Sequence, residues 1–571
     1  MLATETVWVQ THVDTDRDGR RDRVRVDIDR PDGGGKVATI LEASPYFGGG
    51  HDVVNHPVDV DRLPQESIIG LGVPAGGAAD ATPADRAAAA LASAEAVRDH
   101  FLAQGYAVVQ AETIGTGGSD GCPTIGDKNE VDSVQSVIEW LHGDGKAFDS
   151  VRGGKAVDAA WSTGHVGMMG VSYDGTLPEM VATTGVAGLD TIVPISAISN
   201  WYDYYRANGL VVAPGGYQGE DTDILADYVV SDAKVEECAP VIDGLELAQD
   251  RGTGDYSPFW AARDYVGKVK NIKASVFVVH GLNDWNVKTQ NAGQFWAQLA
   301  KQHIARKIWW HHGAHGGPSG DTTYQLPGGG TSNFTDTVDR WMAYWLYGDD
   351  NGIMDEPRAI IQREDLSYKT YSDWPDPDSQ ATKLRLGGLH ASDPAGSSTE
   401  GTAGAAGVAA AGQSFTDDGR NKTAEQLVAS PDKPNPNRLA YTTKPLGKAT
   451  RLSGTPSVRL NMSVDNRADA NVTALLVDYG PDDSATIVTR GWIDPQNRDG
   501  RDVSEPLKQG RAYDLAFGLQ PKDYVFAAGH RIGLVVISTD FSYTLRPDPG
   551  TRLTLQPRSS IMTLPLVGGL P

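Results

Sequence analysis

The chain has 571 residues, enough for two or three folding units. Asp and Glu outnumber Lys and Arg by 74 to 50, and the resulting formal charge of −24 opposes non-specific binding to nucleic acid or to an anionic membrane. No apolar run reaches the roughly 20 residues of a membrane-spanning helix, and two cysteines, Cys122 and Cys238, exclude a multi-cysteine zinc site and a disulfide-rich scaffold.

Met1 to Val7 has neither the basic nor the apolar region of a signal peptide. The chain as it stands is expected to be soluble. Secretion, with the leader replaced by Met1, is the expected compartment, and the cytoplasm is the alternative. Val7 to Val13 and Val24 to Ile28 alternate apolar and polar residues around the turn Asp14-Thr15-Asp16-Arg17-Asp18-Gly19, which predicts a hairpin. Asp14, Asp16 and Asp18 also resemble the first half of a calcium loop, but Arg25 stands where its twelfth position needs a carboxylate. A plain turn is the expectation and a calcium loop the alternative.

Short apolar runs then alternate with helical patterns, which predicts a mostly parallel sheet flanked by helices. Val37 to Leu41, Tyr106 to Ala111, Val166 to Gly170, Thr191 to Ile195, Ser275 to Val279 and Lys307 to Trp310 read as strands. Val131, Val134, Ile138 and Leu141, and later Phe334, Val338, Trp341, Met342 and Trp345, recur at helical spacing and read as core. Cys122 and Cys238 both fall in predicted loops, where they are either one bridge or two unrelated thiols.

In Val166-Gly167-Met168-Met169-Gly170-Val171-Ser172-Tyr173-Asp174-Gly175 a strand ends in glycine, a serine follows, and a helical stretch begins. A nucleophile elbow needs small neighbours at this cramped turn, although the usual spacing would put glycine at Asp174. A serine nucleophile needs a histidine to take its proton and a carboxylate to orient that histidine. Asp284 follows the Ser275 to Val279 strand, and His315 lies past glycine after the next one, in the order Ser, Asp, His. His311 and His315 as a metal pair lack further ligands nearby. The oxyanion needs two donors, of which the backbone N–H of Tyr173 is expected to be one and the loop holding Tyr46 is a candidate for the second, although Tyr46 taken alone reads as packing rather than catalysis.

Residues from about 200 to 270 break the alternation, being rich in Tyr, Asp and Glu, and read as an insertion over the carboxyl edge of the sheet. A Gly, Ala, Ser and Thr segment at 391–413 precedes runs such as Ser457 to Val464, Val472 to Val477, Ala485 to Thr489, Ala512 to Phe517 and Arg531 to Ser538, which predict an all-β domain of two packed sheets. The expected division is 1–199 and 271–350 for the α/β body, 200–270 for a helical cap, and 351–571 for the β domain.

Ser44-Pro45-Tyr46, the Gly115 to Gly121 loop, Glu139-Trp140-Leu141 and Gly170-Val171-Ser172-Tyr173-Asp174-Gly175, with Leu452 to Pro456 and Ala528 to Ile532, together resemble the family of X-Pro dipeptidyl-peptidases and cocaine-esterase-like hydrolases. The resemblance implies an α/β-hydrolase domain with a helical cap, followed by a jelly-roll β-sandwich. It implies Ser172, Asp284 and His315 as triad, Tyr46 as oxyanion donor through its hydroxyl, and no metal or organic cofactor. Trp201-Tyr202-Asp203-Tyr204-Tyr205-Arg206 is more similar to the peptidases than to the esterases. The implied substrate is a peptide with a free N-terminus and proline second. Its buried amine needs a carboxylate, with Glu220 first, Asp203 next, and Asp221 and Asp223 also available. Tyr173, Trp201, Tyr202, Trp285 and Asn286 are the candidates around the proline ring. The alternative within this resemblance is an α-amino acid ester hydrolase, esterase or acylase with the same triad.

Overall fold

The computed structural model describes residues 2–60, 95–318, 321–388, 390–392 and 412–570. Among these, twelve strands make one sheet: β1 Leu2–Gln10, β2 Arg23–Pro31, β3 Val37–Ser44, β4 Ala107–Glu112, β5 Ala147–Phe148, β6 Ala156–Val157, β7 Ser162–Val171, β8 Leu189–Ile195, β9 Ser275–Gly281, β10 Arg306–His311, β11 Ala359–Gln362 and β12 Tyr368–Tyr371. Their spatial order is β12-β11-β10-β9-β8-β7-β3-β4-β2-β1-β5-β6. Pairs from β4 through β11 are parallel, while β2, β1, β5 and β6 at one end and β12 at the other pair in antiparallel fashion.

Side chains along a strand alternate between faces, and here both faces are covered. Leu41, Val109, Met168, Ile192, Val278 and Trp310 enter one core, while their neighbours Ile40, Val108, Met169, Val193, Val279 and Trp309 enter another. Two-sided burial explains why β9 is apolar along most of its length. On the first face, α1 (Lys128–His142) inserts Val131, Val134, Ile138 and Leu141. It begins where Asp127 accepts the N–H groups of Asn129 and Glu130, and it ends at Gly143, whose φ of 104° suits glycine. Helices α2 (Tyr173–Ala182) and α3 (Gln290–Lys301) share that face. On the other face α4 (Phe334–Tyr347) buries Val338, Trp341, Met342 and Leu346.

The 200–270 insertion holds the helices Trp201–Tyr205, Thr222–Val229, Val235–Ala248 and Pro258–Ala262 and one small hairpin, Arg206–Ala207 with Leu210–Val211. Cys238 lies in the Val235–Ala248 helix rather than in the expected loop, because Pro240 is accommodated inside that helix. It is bonded to Cys122, with the two Cα atoms 5.4 Å apart, and so ties the insertion to the loop after β4. The large sheet continues beyond residue 350 through β11 and β12.

Residues 393–411 of the Gly/Ala/Ser-rich segment lie outside the described residues. Among the described residues on either side of that segment, an eight-stranded antiparallel sheet that includes Ser379–Arg385 and a five-stranded one that includes His390–Ser392 face each other. Leu452, Leu460, Leu515 and Phe526 from the first meet Leu439, Leu476, Leu534 and Val536 from the second in one core. Strand pairing through Ser457–Val464 and Val472–Tyr479 agrees with the apolar runs expected there.

Trp341 is fully buried between α4 and the sheet and donates through Nε1 to Thr191 Oγ1 at 2.6 Å. Trp341→Ala leaves a cavity and removes that hydrogen bond, while Ser275 Oγ still donates to the Thr191 hydroxyl at 2.7 Å, so chemical denaturation is expected to show a loss of about 3 to 5 kcal/mol.

Candidate active site

The sharp end of β7 decides the geometry. Ser172 follows it with φ 63° and ψ −122°, a left-handed backbone that non-glycine residues seldom adopt and that thrusts a side chain out of a strand-to-helix turn. A Cβ added at Gly170 would stand 2.5 Å from Asp174 O, and one at Gly175 would stand 2.7 Å from Gly170 O and 2.8 Å from Ile195 O. These contacts account for the spacing of the motif. The close approach of α2 to β8 occurs at residue 175, so Asp174 is tolerated where the generic pattern has glycine. Tyr173 opens α2, where a backbone N–H has no acceptor within the helix.

The exit loops of β9 and β10 supply the next two groups. His315 Nδ1 lies 2.8 Å from Asp284 Oδ2, while Asp284 Oδ1 accepts the N–H groups of Asn286 at 3.0 Å and Val287 at 2.9 Å. His280 Nε2 stands 3.7 Å from the same carboxylate and donates to Val287 O at 2.8 Å. Burial works against ionisation of Asp284, yet the facing His315 and then His280 hold its carboxyl below its ordinary value.

Ser196 ties the loops together. Ser172 N–H donates to Ile195 O at 2.8 Å, and the adjacent Ser196 Oγ donates to Gly316 O at 3.1 Å and accepts Gly316 N–H at 3.2 Å. The serine turn and the histidine loop are thereby joined through neighbouring residues. His311 adds a brace: Nδ1 accepts Gly313 N–H and Nε2 donates to Gly316 O. Burial pushes His311 down to about 4, which keeps that ring neutral and suited to donating on one side while accepting on the other.

Tyr46, just past β3, meets Tyr173 edge-on with ring centroids 5.9 Å apart and leans on Tyr228 at 6.1 Å. The Tyr173 ring is buried and its hydroxyl donates to both oxygens of Glu130, at 2.8 and 2.7 Å. It is therefore a brace beneath Tyr46 and no wall of a proline pocket. Burial raises Glu130 itself to about 7. No local motif marks Glu130, whose only sequence signal is a charge on the apolar side of α1.

The structure corrects part of the expected substrate set. Trp201 is fully buried against Tyr173 and Tyr205. Tyr202 is equally buried, with its hydroxyl on Gly254 O and its ring on Trp260. Both build the insertion's own core and cannot line an open pocket. Asp203 accepts from Gln294 Nε2 at 2.6 Å and faces Arg501 at 3.9 Å, Asp221 is paired with Arg206 and Arg251, and Asp223 is paired with His56. Glu220 accepts from the Tyr205 hydroxyl at 3.1 Å. Trp285, partly exposed, stands over Tyr543 and Trp492 of the C-terminal domain, and Asn286 Oδ1 accepts from Tyr204 at 3.0 Å. Tyr204, Tyr228 and Tyr543 are the neighbours that sequence reasoning missed, the last because it arrives from another domain.

At the distant hairpin, Asp14, Asp16 and Asp18 come within reach of one cation. Each accepts a backbone N–H of its own turn, from Gly19, Asp18 and Arg20 respectively. Lys234 reaches Asp16, and Arg152 reaches Asp18.

Below the elbow, Glu42 on β3 lies beside Asp174, and burial raises Glu42 to about 7 from an ordinary value of 4.5. The fold favours its neutral form, so the stabilisation is complete below about pH 4.5 and is lost as pH rises through about 7. Glu42→Gln cannot ionise. Relative to the parent it is expected to gain up to about 3 kcal/mol between pH 4.5 and 8, read by denaturant titration across that range.

Comparison with known proteins agrees with this architecture. Residues 18–317 match the family model for X-Pro dipeptidyl-peptidase (S15 family), and residues 351–565 match that for the X-Pro dipeptidyl-peptidase C-terminal non-catalytic domain. The chain is 46% identical to a Bacillus cereus relative, over 99% of this chain and 90% of that protein. It is 32% identical to the Xaa-Pro dipeptidyl-peptidase of Ligilactobacillus salivarius, over 99% of this chain and 77% of that one. Among solved structures, an alpha-amino acid ester hydrolase superposes with a TM-score of 0.65 at 18% identity, and a CocE/NonD family hydrolase from Staphylococcus aureus does so with 0.65 at 15%, each over 99% of this chain and 96% of its own. At such identities the likeness speaks for the α/β-hydrolase fold alone. By sequence over its whole length, the chain belongs to the S15 family of X-Pro dipeptidyl-peptidases.

Proposed function

We propose that the protein is a serine peptidase that releases Xaa-Pro dipeptides from the N-terminus of peptides through an acyl-enzyme. The hydrogen bond between His315 and Asp284, joined to the strained turn of Ser172 through Ile195, Ser196 and Gly316, carries this reading. With Nδ1 engaged by Asp284, His315 offers Nε2 to the Ser172 hydroxyl. It takes the proton as Ser172 attacks the carbonyl carbon of the proline residue, then returns it to the departing amine, and water repeats the cycle to free the dipeptide. Asp284, kept ionised, stabilises the imidazolium formed at each attack. The Tyr173 N–H and the Tyr46 hydroxyl are the proposed oxyanion donors, and the edge-on contact of their rings supports a fixed spacing between them.

Glu220 is the proposed partner of the substrate's ammonium group. Its burial supports this role, since a carboxylate out of water discriminates strongly in favour of a cation over an acetylated terminus. Trp285 and Asn286 are the proposed neighbours of the proline ring. The 200–270 segment is read as the cap, and the C-terminal sandwich as the jelly-roll module. The Cys122–Cys238 bond supports a destination outside the reducing cytoplasm. The charge of −24 supports attraction of cationic peptides, an effect that salt screens.

Gly-Pro-anilide, its N-acetylated form and a simple aryl ester test the proposal together. Rapid cleavage of the first and a loss of at least a hundredfold on acetylation are expected; equal turnover of the first two, or cleavage of the ester alone, would refute it. Ser172→Ala is expected to lose hydrolysis while keeping its fold by circular dichroism. Glu220→Gln is expected to lose about 10²-fold or more in kcat/KM for the free-amine substrate, with little change for the ester.

A further inference from the structure

Lys522 begins a strand of the C-terminal domain, yet its side chain is buried among the loops of the hydrolase domain. Its ammonium group donates to Leu282 O at 2.5 Å and to Asn283 Oδ1 at 2.6 Å, immediately before Asp284. Asn283 in turn spans the two catalytic loops. Its N–H donates to Gly313 O at 3.1 Å and its Nδ2 to His312 O at 2.7 Å, while Leu282 N–H donates to His311 O at 2.6 Å. A lysine can only donate, so the amide must present oxygen to Lys522 and nitrogen to His312. The preceding residues grip the far side of the same loop: Pro521 O accepts from Thr289 Oγ1 at 2.7 Å, and Gln520 Oε1 accepts from Gln290 N–H at 3.0 Å.

We infer that Lys522 is a positioning residue for the reaction, holding the Asp284 loop and the His315 loop in register through Asn283. The inference rests on the triad reading above. Both acceptors of the ammonium are neutral, and burying a cation without a carboxylate in contact is costly. That cost shows in the Lys522 ammonium itself, which burial lowers to about 7, with Glu364 opposing and Arg490 reinforcing the shift. His312 and Glu364 are its other charged or titratable neighbours on the hydrolase side. A methionine of similar length would avoid the desolvation cost but could not orient Asn283. The cation therefore serves loop geometry rather than the strength of domain docking.

Lys522→Met, Asn283→Ala and the double variant decide the matter with Gly-Pro-anilide, using kcat per serine titrated by a fluorophosphonate. Asn497→Ala, which breaks the contact of Asn497 Nδ2 with Asp255 Oδ1 of the insertion, is the comparison for docking alone. Expected are a fall of about tenfold or more in kcat for each single variant, KM within twofold, and a double variant no worse than the poorer single one, since both remove one linkage. Asn497→Ala is expected to change melting temperature only. Unchanged kcat in Lys522→Met, additive losses, or a loss confined to melting temperature would overturn the inference. If Lys522→Met does not fold, Asn283→Ala decides alone, and a kcat within twofold of the parent overturns it. Failure of the triad reading is separate: it would show as hydrolysis persisting in Ser172→Ala, whatever Lys522→Met does.

Discussion

The 2.8 Å contact between Asp284 and His315 joins two loops that are distant along the chain and adjacent in space. It exists because β9 and β10 are parallel neighbours, so that their carboxyl ends, and hence their exit loops, emerge side by side. A carboxylate buried to this degree is tolerable only while something positive or hydrogen-bonding faces each oxygen. The N–H groups of Asn286 and Val287 serve one oxygen and His315 the other, so the loop after β9 and the loop after β10 depend on each other. Ser172 is drawn into the same arrangement through Ile195, Ser196 and Gly316, which connect the turn after β7 to the histidine loop across β8.

The central strands could be read in advance for a plain reason. Burial on both faces leaves runs such as Ser275–Gly281 with few polar residues, and glycine or a turn marks where they stop. The serine turn was legible because crowding at Gly170 and Gly175 restricts what can stand there. Asp284 and His315 followed from their order and from their places after strands. Other features left no such trace. β11 and β12 are four residues each at the border of the sheet, and β12 is buried mainly through Tyr368, so they lack the long apolar run that betrays a central strand. Trp201 and Tyr202 show the opposite failure. Aromatic residues suit a ligand pocket and a small core equally well, and an insertion of this size needs a core of its own.

Partners separated widely along the chain form the least legible class. Lys522 finds Asn283 at a sequence distance of 239 residues, and Trp285 finds Tyr543 only after the β domain has folded. Nothing near residue 522 distinguishes this lysine from one on a solvated strand. The division between an N-terminal and a C-terminal half is therefore less clean than the two family models imply, since groups from the second half touch the loop that carries Asp284.

The position of β11 and β12 bears on how such a chain can be cut or recombined. A seam placed at residue 350, where the composition changes, would strip two strands from the sheet and leave β10 as its border. The backbone of Ile308 to Trp310, now paired with Ala359 to Ile361, would then face water unpaired, a few residues from His315. A fragment ending there would present an adhesive, tryptophan-rich rim in place of a closed flank. A workable junction for chimaeras lies after Trp374, which still packs on Trp310 in the hydrolase core, in the short polar stretch that leads into the sandwich strand Ser379–Arg385.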